Sequence, residues 1–524
     1  MSDHFNLAVL DKALPSSISP ARRFVRLHPD DNVVVAAASL PAGTALEGEG
    51  VTVLRAVPMG HKIATRPIAA GVAITKFGQI IGYATADIAP GAHVHTHNCA
   101  MGGHDQDYRI GIDFRPVQYR DPADATFKGL RRASGAVGTR NFIALCSTVN
   151  CSATVIRHIA DKVNRSGMLD AYPHIDGAIA LSHGTGCGMA DTGEGFEALE
   201  RVLWGYATHP NVAAAIFVGL GCEVMQIGRL KAKYGFAEDH FHTLTIQESG
   251  GTRRTIEAAL RMIEDLLPSL PVIERTDVPA SELMVALECG GSDGYSGITA
   301  NPALGRAADL LVQFGGTAVL AETPEIYGAE HLLVRRAASE AVGQKLIERI
   351  RWWEDYTSRN KGEMNNNPSP GNKAGGLTTI LEKSLGAAAK GGTSPLADVA
   401  LYAEKITTKG FVFMDSPGYD PAATTGQIAS GCQIVCFTTG RGSAFGSKPA
   451  PTIKLATNSR LYASMEEDMD INCGDIVDGE ATIESKGEEI FQRILDIASG
   501  ERSKSELLGL GDNEFVPWQI GATM

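Results

Sequence analysis

Four cysteines, Cys151, Cys187, Cys222 and Cys289, each lie just past a short apolar run and beside glycine-rich sequence. The runs are Phe142–Cys146, Ile175–Leu181, Ala214–Val218 and Leu283–Glu288, and each reads as a buried strand. In an open α/β sheet the carboxyl ends of parallel strands line one edge, where ligands bind, so thiols far apart in sequence can meet there. Thiolates select iron, zinc and iron–sulfur clusters over magnesium or calcium. The expectation is a single soft-metal site holding iron, as Fe2+ or as a labile iron–sulfur cluster. The competing reading is that these thiols fill apolar space, as free cysteines often do. Cys432 and Cys436 have the even spacing of one packed strand face, and Cys99, Cys146 and Cys473 lack a partner motif.

His93, His95 and His97 alternate at period two, which would put all three on one face of a strand and make a second divalent-metal site. A solvated edge strand would show the same pattern. His183, four residues before Cys187, is the first choice of general base, because imidazole titrates nearest neutral pH; a structural, hydrogen-bonded histidine is the alternative. Arg140, Lys373 and Arg441 stand in polar or glycine-rich loops, where they could grip a carboxylate. Read from residues alone, His61 and Lys62 after Gly60 resemble a solvated turn.

These groups must be positioned by more than one core, since 524 residues exceed the roughly 250–300 at which a single core stops growing. After an N-terminal extension, 1–23, the segment 24–98 carries short alternating runs between turn signals such as Pro41-Ala-Gly and Pro90-Gly-Ala, as in a small β-rich domain. A polar linker, 99–126, follows. From 127 to 365 strand, glycine loop and helix alternate, with helices expected over Ser152–Arg165, Val224–Tyr234, Arg254–Leu267, Pro302–Phe314 and Ala329–Asn360. That alternation implies a mainly parallel sheet covered on both faces. A C-terminal α/β domain is expected over 366–524, opened by a polar stretch, Asn365 to Gly376, that reads better as an active-site loop than as a linker.

Longer strings carry a resemblance. Gly60-His-Lys, His93-Val-His-Thr-His-Asn, Gly138-Thr-Arg-Asn, Gly219-Leu-Gly-Cys-Glu, Glu288-Cys-Gly-Gly-Ser-Asp-Gly-Tyr-Ser-Gly, Asn367-Pro-Ser-Pro-Gly-Asn-Lys-Ala-Gly-Gly and Thr438-Thr-Gly-Arg-Gly resemble the altronate and galactarate dehydratase family, from about residue 24 to the end. The resemblance implies an SAF-type β-rich module followed by a dehydratase region, and iron-dependent removal of water from a sugar acid to give a 2-keto-3-deoxy acid. The histidine run is more like the altronate branch than the galactarate branch. The resemblance also implies roles for His61, and with it Lys62, in carboxylate binding or proton transfer, and for Ser292, Asp293 and Asn301 in holding sugar hydroxyls.

Such chemistry explains the residue types. Dehydration takes a proton from the carbon beside a carboxylate, a very weak acid, and expels hydroxide, a poor leaving group; a Lewis acid and a placed base divide that work. A nucleotide-dependent oxidoreductase is the rival reading, but Gly184-Thr-Gly-Cys-Gly and Gly440-Arg-Gly-Ser-Ala-Phe-Gly miss the dinucleotide fingerprint. An iron-binding scaffold would leave the Asn367 to Lys373 loop unexplained, and a sulfo-lyase acting on a sulfonated hydroxy acid is the nearest chemical alternative. A net charge of -13 argues against nucleic-acid or anionic-membrane partners. With no signal-peptide pattern and no apolar run of about 18 residues, a cytoplasmic location is expected. The oligomeric state stays open, a homodimer being the assembly considered.

Overall fold

The computed structural model describes residues 23–103, 107–235 and 240–523, so all but the last residue of the expected extension 1–23 lies outside the described residues. The N-terminal module is antiparallel. Strands Phe24–Val25, Val33–Ala36, Lys62–Ala64 and His93–Val94 form one sheet, and Ala73–Lys76, Gln79–Ala84 and Cys99–Ala100 another. Short β-branched runs suit such strands, and tight turns between them need positive φ, as at Gly91, where a Cβ would lie 1.9 Å from the Thr52 carbonyl oxygen. Val34, Leu46, Val53 and Ile63 make its interior.

The next layer is a four-stranded parallel sheet in the order Gly177–Leu181, Phe142–Ser147, Val212–Gly219, Phe241–Thr245. Helices Asn150–Arg165 and Thr252–Leu266 bury Ile156, Ile159, Ala259 and Ile263 against one face, and helix Glu194–Ala207 covers the other. A seven-stranded parallel sheet follows, ordered Leu396–Ala400, Gly410–Met414, Thr317–Leu320, Met284–Cys289, Ile434–Thr439, Thr452–Ala456, Ile471–Asn472. Its central strands are buried along almost their whole length, as helix cover on both faces requires.

The two sheets divide the chain differently from the expected 127–365 and 366–524. Met284–Cys289 and Thr317–Leu320 are inner strands of the seven-stranded sheet, between partners drawn from 410–439, so the division falls between Ser269 and Met284. Parallel pairing is non-local, and a linear apolar run does not announce its neighbour. The expected helix Ala329–Asn360 is two helices, Glu330–Val334 and Glu340–Arg359, because the Ser339 side chain accepts from the Val342 amide and starts the second afresh. Among the described residues no helix is long and apolar enough to cross a membrane.

The module is fastened to the large sheet by helix Ile380–Ala388. Lys62 Nζ donates to Glu382 at 3.0 and 2.8 Å and to the Gly376 carbonyl oxygen at 2.7 Å, and Lys76 Nζ donates to Glu382 at 2.9 Å; all three side chains are buried. Backbone also meets backbone there, since a Cβ on Gly294 would lie 2.0 Å from the Gly60 carbonyl oxygen. Burial opposes ionisation of Glu382, but the two ammonium groups prevail and hold it below the usual carboxylate range. Its stabilisation is therefore present above the ordinary carboxylate pKa and is lost only as pH falls through the lower folded value. Glu382→Gln leaves two buried ammonium groups short of an anion; a loss of about 3–5 kcal/mol of folding free energy is expected in denaturant titration, with earlier proteolysis between module and core.

Candidate active site

The carboxyl ends of the two central strands deliver a cluster of charges. Strand Met284–Cys289 ends on Glu288 and Cys289, and the chain leaving Thr317–Leu320 places Glu322 and Glu325 beside them. Glu322 has φ +71°, a left-handed conformation that costs a non-glycine residue about 1–3 kcal/mol and is held only by surrounding structure. Here the Ser416 hydroxyl accepts the Glu322 amide at 2.9 Å. Lys383, Lys390, Asn367 and Asp420 close the cluster, and Gly290 lets Asp420 approach, since a Cβ there would lie 2.1 Å from its Oδ2.

One half of the cluster is satisfied. Lys383 Nζ donates to Glu325 Oε1 at 2.6 Å and to Asn367 Oδ1 at 2.8 Å, Asn367 Nδ2 donates to Glu325 Oε1 at 2.8 Å, and Cys289 Sγ stands 3.5 Å from Glu325 Oε2. Burial disfavours the Glu325 carboxylate, yet Lys383 and Lys390 pull its pKa below the usual value. The other half is not satisfied. Both oxygens of Glu288, both of Glu322 and the Lys390 ammonium are buried without a hydrogen-bond partner, Lys390 Nζ lying 3.7 Å from Glu322 Oε2. Burial pushes Glu288 up to about 8, burial and then Glu288 push Glu322 well above the carboxylate range, and burial lifts Asp420 to about 6. As two carboxylates the Glu288 and Glu322 pair has no donor; with a proton between them one can donate to the other.

A second constellation lies on the N-terminal module. Ring nitrogens of His61, His93 and His95 lie within 4.8 Å of one another, with His61 Nδ1 3.0 Å from His93 Nε2 and His61 Nε2 3.3 Å from the Ala374 carbonyl oxygen. Burial lowers all three, His93 to about 4 and His95 to about 3, so they are neutral donors; His95 Nδ1 is buried without a partner. His97 is replaced in this set by His61. The strand stops at Val94, and a turn follows in which the Asn98 side chain bonds the His95 amide and the His93 carbonyl, so the period-two argument fails past Val94.

Comparison with known proteins fits this architecture segment by segment. Residues 22–102 match the altronate/galactarate dehydratase SAF domain, 129–271 the second domain of D-galactarate dehydratase/altronate hydrolase, and 280–523 the C-terminal region of D-galactarate/altronate dehydratase. Altronate dehydratase of Bacillus subtilis is 36% identical over 484 residues, covering 92% of this chain and 96% of that protein. Altronate dehydratase of Escherichia coli is 37% identical over 488 residues, with 92% and 97% covered, and its galactarate dehydratase (L-threo-forming) is 35% identical over 498, with 92% and 94% covered. The chain belongs to the altronate/galactarate dehydratase family. It is an enzyme of the hydro-lyase class.

Within this family member several expected site residues turn out to be structural. His183 Nε2 donates to the Ser147 carbonyl oxygen at 2.8 Å and its Nδ1 accepts the Thr185 amide at 3.3 Å, so neither nitrogen is free to act as a base. Arg140 is buried, with a two-point grip on Glu506 at 2.7 and 2.8 Å and bonds to the carbonyls of Thr139, Ile497 and Glu501, leaving nothing for a substrate carboxylate. Lys62 spends its protons on Glu382 and Gly376. Asp293 accepts from Tyr295, Ser296, Thr457 and Asn458, and Asn301 bridges Gly386 and Thr438, so both hold loops together.

Ser292, Asp293 and Asn301 line a cavity of about 10 Å3 with Lys383, room for no more than a water. Lys373 is half-buried on the short helix Pro370–Ala374, and Arg441 is exposed. The single four-thiol centre does not form. Cys289 is buried against Glu325, whereas Cys151, Cys187 and Cys222 are exposed at the edge of the other sheet. Sequence reasoning passed over Glu288, Glu322, Glu325, Lys383 and Lys390. Glu288 adjoins Cys289 in a quoted string, and Glu322-Thr-Pro-Glu325 directly follows a buried strand, which is the signal that was there to use.

Because the folded chain holds a proton on Glu288 up to about 8 while an unfolded one releases it near the ordinary carboxyl value of 4.5, the native state binds the extra proton between those values. Folding stability should fall as pH rises across that window, and Glu288→Gln should flatten the decline in denaturant midpoints measured from pH 5 to pH 8.

Proposed function

We propose that this enzyme removes water from a hexonate, with D-altronate as substrate and 2-dehydro-3-deoxy-D-gluconate as product. The reading is carried by the buried Glu288 and Glu322 oxygens and the Lys390 ammonium, which pair in charge but make no hydrogen bond in the protein, the arrangement a polar anionic substrate would complete. The names of the two altronate dehydratases support the choice of a hexonate. Lys383 and Lys390 would face the substrate carboxylate and the enediolate charge that grows on it. Glu288, whose pKa lies near working pH, accepts the proton from C2; Glu322, which keeps its proton more tightly, gives it to the hydroxyl leaving C3 as water. The pair ends with as many protons as it began, and the enol released tautomerises to the keto acid.

The donor set His61, His93 and His95 fits a divalent ion, iron by our reading: three neutral imidazoles whose ligand atoms converge, one of them buried without a partner. When bound, such an ion would supply Lewis-acid polarisation of a substrate oxygen. The alternative set of Cys289, Glu322 and Glu325 fits a cation less well, because Lys383 and Lys390 already balance its carboxylates.

A panel of hexonates, hexarates and sulfonated hydroxy acids, assayed for keto-acid formation, tests the assignment. D-altronate should be turned over best, without nucleotide; preference for a hexarate or a sulfonate would reassign the substrate. Glu322→Gln should lower kcat by about 10²–10⁴-fold with the fold intact, and the rise of kcat/KM with pH should be lost in Glu288→Gln. His95→Ala should abolish stoichiometric Co2+ binding followed by visible absorption; unchanged binding would remove the ion from this trio.

A further inference from the structure

Among the described residues no hydrogen bond reaches either carboxylate oxygen of Glu322, so the direction that side chain takes beside Glu288 is set from its own backbone. That backbone is left-handed, at φ +71°, in a turn where glycine would carry no strain. The turn is gripped instead from the neighbouring strand. Thr317–Leu320 pairs in parallel with Gly410–Met414, so the residues that leave the two strands, Ala321 to Thr323 and Asp415 to Ser416, run on side by side.

Three bonds cross between these segments. Ser416 Oγ accepts the Glu322 amide at 2.9 Å, the Ser416 carbonyl oxygen accepts the Thr323 amide at 3.0 Å, and Asp415 Oδ1 accepts the Thr323 hydroxyl. The accepting side chains are themselves fixed. Ser416 donates its hydroxyl to the Pro417 carbonyl oxygen at 3.2 Å, which leaves a lone pair for Glu322, and Trp353 Nε1 donates to the same Asp415 oxygen at 2.8 Å. Thr323, Asp415 and Ser416 are all buried, away from competing water. The Glu325 amide donates to the Glu322 carbonyl oxygen at 2.8 Å, so a second carboxyl of the cluster hangs from the same turn. A turn that only redirected the chain would be met by glycine without strain; what the three bonds preserve is the placement of a carboxyl.

We propose that Ser416 and Asp415 are positioning residues, which act through the 322–323 turn to hold the Glu322 carboxyl against Glu288 at the angle that proton delivery to the leaving hydroxyl requires. The inference rests on the role proposed for Glu322 above and adds the groups that make that role effective. Proton transfer is sensitive to geometry, and a misplacement of about 1 Å can cost about 10²-fold in rate. Because the clamp acts on the acid and not on the substrate, its loss should slow the chemical step and leave binding unaltered.

Steady-state kinetics of the full chain, on whichever sugar acid it turns over best, test this. Ser416→Ala and Thr323→Val should each lower kcat about 10–100-fold with KM changed by less than about threefold, and Thr323→Ser, which keeps the hydroxyl, should restore kcat. The losses should vanish in a Glu322→Gln background, because the turn then has no acid to place. Losses that add to that of Glu322→Gln, wild-type kcat in both clamp variants, or a rise in KM alone would overturn the positioning role and leave the reading of Glu322 standing. Wild-type kcat in Glu322→Gln would overturn both. A backbone comparison covers clamp variants that do not fold: with the turn left-handed, Glu322→Gly should show a higher denaturant midpoint than Glu322→Ala, and an equal or lower midpoint would overturn the clamp.

Discussion

Two adjacent residues, Glu382 and Lys383, compensate charge in opposite directions, and the buried charge cluster at the end of the large sheet depends on that pairing. Glu382 faces the N-terminal module and balances Lys62 and Lys76; Lys383 faces the large sheet and balances Glu325. Neither could be buried alone, because an isolated charge in a protein interior is far too costly. One turn of the helix Ile380–Ala388 thus ties the seating of the module to the ionisation of the sheet-end carboxyls. The histidine trio is reached through the same stretch of chain, since His61 touches the Ala374 carbonyl just before that helix.

Layer architecture was legible in the sequence to the extent that it is local. The β-rich start, the alternation of strand and helix and the helix Thr252–Leu266 follow from turn residues and from apolar period. Which strands share a sheet was not legible, because parallel partners are chosen by tertiary packing; the division of the chain was misplaced for that reason. The site was half legible. Cys289 and the strand-end loops pointed to the edge where a buried charge cluster gathers, yet its carboxyls and lysines escaped notice, since Glu and Lys are normally solvent-facing and nothing in a linear string says they are buried. His183 and Arg140 show the converse error. Each has the right chemistry for catalysis and each is consumed by backbone and side-chain partners.

The cysteines divide by burial rather than by motif. Cys289 ends a strand of the large sheet and serves a carboxyl neighbour, while the exposed three belong to the smaller sheet and to each other's loops. A strand-end pattern thus appears twice in one chain with different surroundings, and only the tertiary arrangement tells them apart.

The contact of Gly60 with Gly294 sets how the module can be inherited. With main chain resting on main chain, no side chain at either position can be trimmed or enlarged to absorb a shift, and the docking geometry is written into the path of the polypeptide itself. Surface loops of the two partners can diverge freely around that seat, but a module from a distant relative can be grafted here only if its chain traces the same curve.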